Sequence, residues 1–161
     1  MGTTVRPPGV IRVLVVDDSV VARMAVAHAF DGDAALELAG VAANGRLALD
    51  KLDRLKPDVV VLDLDMPVMD GFDTLRALQA HHPGLPVIVF SHLTASGAAA
   101  TFDALALGAS AFATKPSAQA TDLDGDHVRH ELVPLIKALA ARPLPPVPEL
   151  AAAGAAGRRG P

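Results

Sequence analysis

VVVLDLDMPVMDG, residues 59–71, places an unbroken apolar run directly before two acidic residues, a proline and an Asp-Gly pair. β-branched residues without polar alternation are typical of a strand covered on both faces, as the central strand of a parallel α/β sheet is. The strand is predicted to end where Asp63 begins. Because ligands of such sheets gather at the carboxyl ends of the strands, Asp63 is a candidate functional residue.

Outward from this stretch, four further apolar runs alternate with segments of helical periodicity. The pattern predicts an α/β protein with a flavodoxin-like doubly wound (βα)5 fold, whose five-stranded parallel sheet has the strand order 2-1-3-4-5. The predicted strands span residues 10–16, 36–42, 59–62, 86–91 and 109–114, and the predicted helices follow Ser19, Asn44, Asp70, Ala95 and Gly125.

Two helices carry more specific predictions. Ser19 is expected to be the N-cap of the first helix, in which Val21, Met24, Ala25 and His28 repeat at helical spacing. The last helix, 126–141, contains Pro134, which predicts either a kink or two shorter helices.

The chain length of 161 residues predicts one domain with flanking segments. Residues 1–9 are expected to be an N-terminal tail and residues 10–141 the domain. The Pro/Ala/Gly-rich residues 142–161 have no amphipathic period, so we interpret them as a linker or tail. A linker at this position suggests an output domain that is absent from this chain.

Composition excludes several classes of function. The net charge of −4, without clustered Lys and Arg, argues against nucleic acid as a partner. The absence of cysteine excludes disulfides, thiol catalysis and cysteine-ligated zinc. The sequence contains neither a signal sequence nor an apolar run of membrane-spanning length. We therefore expect a cytoplasmic location and no membrane partner.

Polar side chains with complementary chemistry stand at or next to the ends of four predicted strands. Asp17 and Asp18 follow the first strand and Asp63 the third, while Ser91 and Lys115 lie at the ends of the fourth and fifth. The topology brings these strand ends to one rim. A carboxylate nucleophile beside a lysine and a hydroxyl suits phosphoryl transfer, with Asp63 forming an acyl phosphate.

Three converging carboxylates repel one another unless one is protonated or a cation lies between them. Mg²⁺ prefers oxygen ligands and keeps several waters. We therefore predict an Mg²⁺ site formed by Asp17, Asp18 and Asp63, to which the backbone carbonyl of Asp65 adds an oxygen.

These residues carry a family resemblance. The segments VVDDS at 15–19 and VLDLDMPVMDG at 61–71, with Ser91 and the Lys115-Pro116 pair, resemble the response-regulator receiver domain of two-component signalling. Residues 90–117 further resemble the receiver half of the chemotaxis protein-glutamate methylesterase. The receiver resemblance spans residues 11–139.

The resemblance implies that a chemotaxis-type histidine kinase phosphorylates Asp63, with Asp18 binding Mg²⁺ directly and Asp17 acting through water. It implies that Lys115 pairs with the phosphoryl oxygens and precedes a cis Pro116. It also implies that Ser91 and Phe112 form a switch, in which the hydroxyl moves toward the phosphoryl group and the ring turns inward.

Two positions depart from the methylesterase pattern: His92 stands where a second serine is frequent, and Asp65 where a glutamate is common. Both border the phosphoryl pocket and bear on phosphate lifetime. The chain has no Gly-rich nucleophilic serine motif, so only Mg²⁺-dependent self-phosphorylation and dephosphorylation are expected of it. The resemblance implies that the full-length parent is a protein-glutamate methylesterase whose C-terminal output domain the receiver controls.

Two alternative functions remain open from the sequence. Asp63 and Asp65 also match the nucleophile and acid/base aspartates of haloacid-dehalogenase-type phosphatases, although an acidic pair that precedes the nucleophile is the reverse of that family's order. The other alternative is the receiver of a DNA-binding response regulator.

Overall fold

The computed structural model describes residues 9–92, 97–115 and 125–141. These residues form a five-stranded parallel sheet in the order β2-β1-β3-β4-β5, which confirms the predicted topology. Five helices alternate with the strands. The elements are β1 Ile11–Val16, α1 Val20–Ala29, β2 Leu36–Ala42, α2 Gly45–Leu55, β3 Val59–Leu62, α3 Gly71–His81, β4 Val87–His92, α4 Gly97–Ala106, β5 Ala111–Lys115 and α5 Gly125–Ala141.

The central strand β3 is buried along its whole length, as the unbroken apolar run of its sequence predicts. Successive side chains of β3 point to opposite faces of the sheet. Val59 and Val61 enter a core shared with α1 and α5, whereas Val60 and Leu62 enter a second core shared with α2, α3 and α4. Two apolar layers therefore hold the sheet between its helices, and the polar residues that follow the strands are confined to its edge.

The buried face of α1 consists mainly of alanines. Small residues face the sheet and α5, whereas Val21, Met24 and His28 are exposed, so only Ala25 of the four residues that repeat at helical spacing is buried. Alanine permits close helix packing because its side chain is small. It contributes little hydrophobicity, so a pattern of large apolar residues does not identify it. The buried residues of α1 are Ala22, Ala25, Val26 and Ala29.

Pro134 lies inside α5, which is a single helix from Gly125 to Ala141. The alternative of two shorter helices is therefore wrong. Proline removes one backbone donor, and the acceptor that it leaves is the carbonyl of His130. Both Pro134 and His130 are on the exposed side of α5, where water can bond that carbonyl.

Strand and helix ends differ by one or two residues from the predicted ones. β4 continues to His92 and β5 to Lys115, so Ser91 lies one residue before its strand end. Gly108 follows α4 with φ of 108°, as expected for a residue that ends a helix in the positive-φ region. Pro116 and residues 142–161, on which the cis-peptide and linker predictions fall, lie outside the described residues. Among the helices described, none has the length and apolarity needed to cross a membrane.

Candidate functional site

The end of β1 supplies two carboxylates with different surroundings. Asp17 is only 3% exposed, and its Oδ1 accepts a hydrogen bond of 2.9 Å from the backbone N–H of Ser19. Ser19 is the N-cap of α1, as predicted, because its Oγ accepts from the backbone N–H of Ala22. Asp18, between them, is exposed. The turn from strand to helix thus buries one carboxylate and leaves the next one open to solvent.

Asp63 immediately follows β3, and its backbone N–H donates to the carbonyl of Val16 over 2.9 Å. Asp63 is 6% exposed. Gly71, the first residue of α3, packs against this backbone: a Cβ on Gly71 would lie 2.3 Å from the Asp63 carbonyl oxygen and 2.5 Å from Leu64 Cα. Glycine is therefore required for α3 to begin this close to Asp63.

The loop between β3 and α3 is tightly folded. The backbone N–H of Met69 donates to the carbonyl of Pro67 over 2.7 Å, which closes a three-residue turn around Val68. Val68 has φ of 68° and is 84% exposed. A β-branched residue rarely adopts this conformation. The loop next to Asp63 therefore contains a strained residue whose side chain contributes little burial in return.

Lys115, at the end of β5, brings a buried cation to the two buried carboxylates. Its Nζ lies 2.5 Å from Asp17 Oδ2 and 3.5 Å from Asp63 Oδ2. The same ammonium lies 5.7 Å from the ring centroid of Phe90 on β4, within the range of a cation–π contact. Asp17, Asp63 and Lys115 therefore meet as the sequence predicts, in an environment where charges interact more strongly than they do in water.

Burial is the main reason that the pKa of Asp63 is raised from 3.8 to about 6. The Lys115 ammonium opposes this rise, the negative charge of Asp17 adds to it, and a hydrogen bond from the backbone N–H of Asp65 opposes it again. At neutral pH Asp63 remains mainly ionised, but it is a stronger base than an ordinary aspartate. Because the Asp63 carboxylate is mainly ionised at neutral pH and is also more basic than usual, it is suited to a nucleophilic role.

Among the residues that the structure describes, Asp17, Asp18 and Asp63 each offer one carboxylate oxygen, and these three oxygens lie within 4.8 Å of one another. Such a set of hard oxygen donors fits a hard divalent cation. Both oxygens of Asp17 already have partners, Ser19 N–H and Lys115 Nζ, whereas Asp18 faces solvent. The donor chemistry of the site therefore fits a metal ion, with Asp18 and Asp63 as the more available ligands.

The two predicted switch residues lie on neighbouring strands. Phe112 of β5 is aligned with Val89 of β4, and Ser91 is aligned with Thr114. Because side chains alternate along strands, Ser91 and Phe112 belong to the same face of the sheet, which α4 covers. Ser91 is buried, whereas Phe112 is half-buried and packs against the core on that face.

Sequence reasoning overlooked several contacts of the site. Arg23 on α1 donates from Nη1 to the backbone carbonyl of Asp17 over 2.7 Å. Its position one turn after Ser19 is a signal that could have identified it, because helical side chains point back toward the helix N-terminus. The Phe90 contact with Lys115 and the Asp65 N–H contact with Asp63 depend on strand register and loop geometry, which the sequence pattern does not specify.

Comparison with known proteins identifies the family. Residues 13–123 match the model of the response regulator receiver domain. A protein-glutamate methylesterase/protein-glutamine glutaminase of Nocardioides sp. is 47% identical over 84% of this chain, and its counterpart in Trichodesmium erythraeum is 39% identical over 81%. These matches cover only 37% and 38% of the relatives' lengths, so the chain spans little more than a third of each.

Solved structures agree with this comparison. The response regulator domain of CheB from Thermotoga maritima superposes with a TM-score of 0.74 at 38% identity, covering 83% of this chain and 98% of that one. The chemotaxis response regulator CheY4 of Vibrio cholerae gives a TM-score of 0.63 at 27% identity, covering 81% and 98%. Fold, sequence and solved relatives favour a receiver over a phosphatase, and they do not favour the receiver of a DNA-binding response regulator. The chain belongs to the response regulator receiver domain family of two-component signalling.

Proposed function

We propose that this receiver is a chemotaxis-type phosphorylation switch in which Asp63 accepts a phosphoryl group from a histidine kinase. The observation that carries the proposal is the pairing of a buried, unusually basic carboxylate with a buried lysine ammonium 3.5 Å away. A salt bridge with only a structural role needs two charged groups. Here a second buried carboxylate, Asp17, and an exposed third one, Asp18, lie around the same point.

The reaction that suits this geometry is an in-line displacement at phosphorus. An oxygen of Asp63 forms the new bond to phosphorus while the bond from phosphorus to the donor's imidazole nitrogen breaks, and that nitrogen keeps the electron pair. Lys115 is close enough to neutralise one oxygen of the transferred group, and Ser91, one residue before the end of the neighbouring strand β4, would donate to another.

Mg²⁺ is the proposed cofactor, held by Asp18 and Asp63 directly, by Asp17 through water and by the backbone carbonyl of Asp65. When bound it would neutralise charge on the phosphoryl oxygens and on the carboxylates. Because Asp17 already pairs with Lys115, we assign it a contact with Mg²⁺ through water rather than a direct one. The backbone N–H of Asp65 bonds the Asp63 carboxylate, which keeps the following loop close to the site.

We further propose that phosphorylation acts through Ser91 and Phe112 on the surface formed by α4, β5 and α5. Their common face of the sheet supports a coupled motion. The relatives' names and the fraction of their length that this chain spans support a methylesterase domain after residue 161 as the controlled output. The chain itself, with residues 10–141 as its receiver domain and 142–161 as linker, would act by controlling access to that domain.

Phosphotransfer from purified kinases tests the partner class. We expect a phosphorylated chemotaxis-type histidine kinase to pass its phosphoryl group to the wild-type chain faster than a phosphorylated kinase of another two-component system does. Asp63→Asn should receive none, while Asp50→Asn, which changes an exposed carboxylate on α2, should receive it normally. Equal transfer from both kinases would contradict the chemotaxis assignment, and transfer to Asp63→Asn would contradict the acceptor.

A further inference from the structure

We infer that Arg23 is a positioning residue of the phosphoryl and metal site: its guanidinium fixes the Asp17–Asp18 peptide and thereby aims the Asp18 carboxylate toward Asp63. The inference deepens the proposed function and rests on it. Arg23 is half-buried on α1, and its Nη1 donates to the Asp17 carbonyl over 2.7 Å.

The contact acts on the one backbone unit that joins the two carboxylates. The Asp17 carbonyl and the Asp18 nitrogen belong to the same peptide plane, which is rigid. A hydrogen bond to that carbonyl therefore restricts the direction in which the chain enters Asp18. The exposed Asp18 side chain has no comparable burial to hold it, so its direction depends on this backbone unit.

Hydrogen bonds hold the residues on both sides of the Asp17–Asp18 peptide, so the orientation of this peptide is the part of the turn that the Arg23 side chain controls. On the one side, Asp17 is held by its own backbone N–H, which donates to Ala42, and by its carboxylate contacts with Ser19 and Lys115. On the other side, the backbone N–H of Arg23 donates to the Ser19 carbonyl over 3.0 Å at the start of α1. The Arg23 side chain closes the turn between these two anchors.

The charge of Arg23 fits the same role. Asp17, Asp18 and Asp63 each offer a carboxylate oxygen within 4.8 Å of the others, and the cationic Arg23 side chain contacts the backbone carbonyl of Asp17. Because the hydrogen bond goes to a carbonyl, Arg23 leaves the carboxylate oxygens to Lys115 and to a cation. Arg23 thus supports the site without competing for its ligands.

Nuclear magnetic resonance and calorimetry on the whole chain test this inference. Replacing the guanidinium in Arg23→Gln should displace the Asp18 amide nitrogen resonance in metal-free protein. In a titration with Mg²⁺ alone, it should weaken affinity about 10-fold, which is typical when a supporting hydrogen bond of a metal site is lost. Arg76→Gln, which removes an exposed arginine paired with Asp73 on α3, should behave as wild type in both measurements.

A second variant keeps the inference testable if Arg23→Gln does not fold. In Arg23→Lys the shorter, non-planar group cannot reproduce the bond in the same geometry, so affinity for Mg²⁺ should fall by a smaller factor. Wild-type affinity in Arg23→Lys, or in a folded Arg23→Gln, would overturn the inference. Weakened Mg²⁺ binding in these variants, together with a wild-type chain that accepts no phosphoryl group, would uphold the positioning role and refute the proposed function.

Discussion

Lys115 Nζ lies 2.5 Å from Asp17 Oδ2 but 3.5 Å from Asp63 Oδ2, so the buried lysine binds the residue after β1 more closely than the phosphoacceptor candidate. Asp17 follows β1 and Lys115 is the last residue of β5, and these two strands are separated in the sheet by β3 and β4. Their ion pair therefore joins the ends of β1 and β5 across the end of β3, next to Asp63. It leaves Asp63 with the Lys115 ammonium at the longer distance of 3.5 Å and with a hydrogen bond from the backbone N–H of Asp65.

Removing the ammonium should destabilise the fold, because Asp17 and Asp63 would remain buried without their cation. We expect Lys115→Met to lower the free energy of unfolding by about 3 kcal/mol at neutral pH. Urea unfolding of Lys115→Met, Asp17→Asn and the double variant measures the coupling between the two residues. The double variant should be more stable than the sum of the single changes implies, and strict additivity would contradict the pairing.

The raised pKa of Asp63 predicts how stability depends on pH in the metal-free protein. The folded state binds the Asp63 proton more tightly than the unfolded state does, since the pKa rises from 3.8 to about 6. Folding is therefore favoured below pH 3.8 by comparison with neutral pH, and this contribution is lost as the pH rises through about 6.

Replacing Asp63 with asparagine removes this penalty. Asp63→Asn should raise the free energy of unfolding by about 3 kcal/mol above pH 7, and the gain should disappear toward pH 4. Denaturant unfolding of both proteins across this pH range measures the effect. A gain that is independent of pH would show that the change stabilises the fold by some route other than the buried charge.

The topology and most of the site could be predicted because they follow from simple patterns. An apolar run broken only by Arg12 identified β1, an unbroken one identified β3, and the residue after each run had to reach the same edge of the sheet. The buried face of α1 could not be predicted in this way, because Ala22 and Ala29 pack closely while the more hydrophobic Val21 and Met24 face solvent. The Arg23 contact with Asp17 was overlooked because it ends on a backbone carbonyl, which every residue has.

Gly71 provides a steric test of the approach between α3 and Asp63. A methyl group at Gly71 would meet the Asp63 carbonyl oxygen at 2.3 Å, so Gly71→Ala should lower the free energy of unfolding by about 2 kcal/mol. Gly125, also the first residue of its helix, is the matched control, since a Cβ there would lie 3.6 Å from its nearest neighbour among the described residues. Gly125→Ala should be neutral or slightly stabilising in thermal unfolding, and equal losses in the two variants would contradict the steric account.

Val68 provides a test of backbone strain beside the site. Its φ of 68° disfavours a β-branched side chain, whereas asparagine tolerates this region. We expect Val68→Asn to raise the free energy of unfolding by about 1 kcal/mol. Val21→Asn, which changes an equally apolar, exposed residue within α1, should give no such gain. Equal gains in the two variants would show that the replacement of an exposed apolar side chain by a polar one, and not the conformation of the turn, causes the stabilisation.

The central claim is that Asp63 is the phosphoacceptor, and intact-mass spectrometry after incubation with acetyl phosphate and Mg²⁺ tests it most directly. The wild-type chain and Asp50→Asn should each gain the mass of a single hydroxylamine-labile phosphoryl group, and fragmentation should place it on the peptide that contains Asp63. Asp63→Asn should gain none. Labelling of Asp63→Asn to the same extent as the wild-type chain would contradict the account.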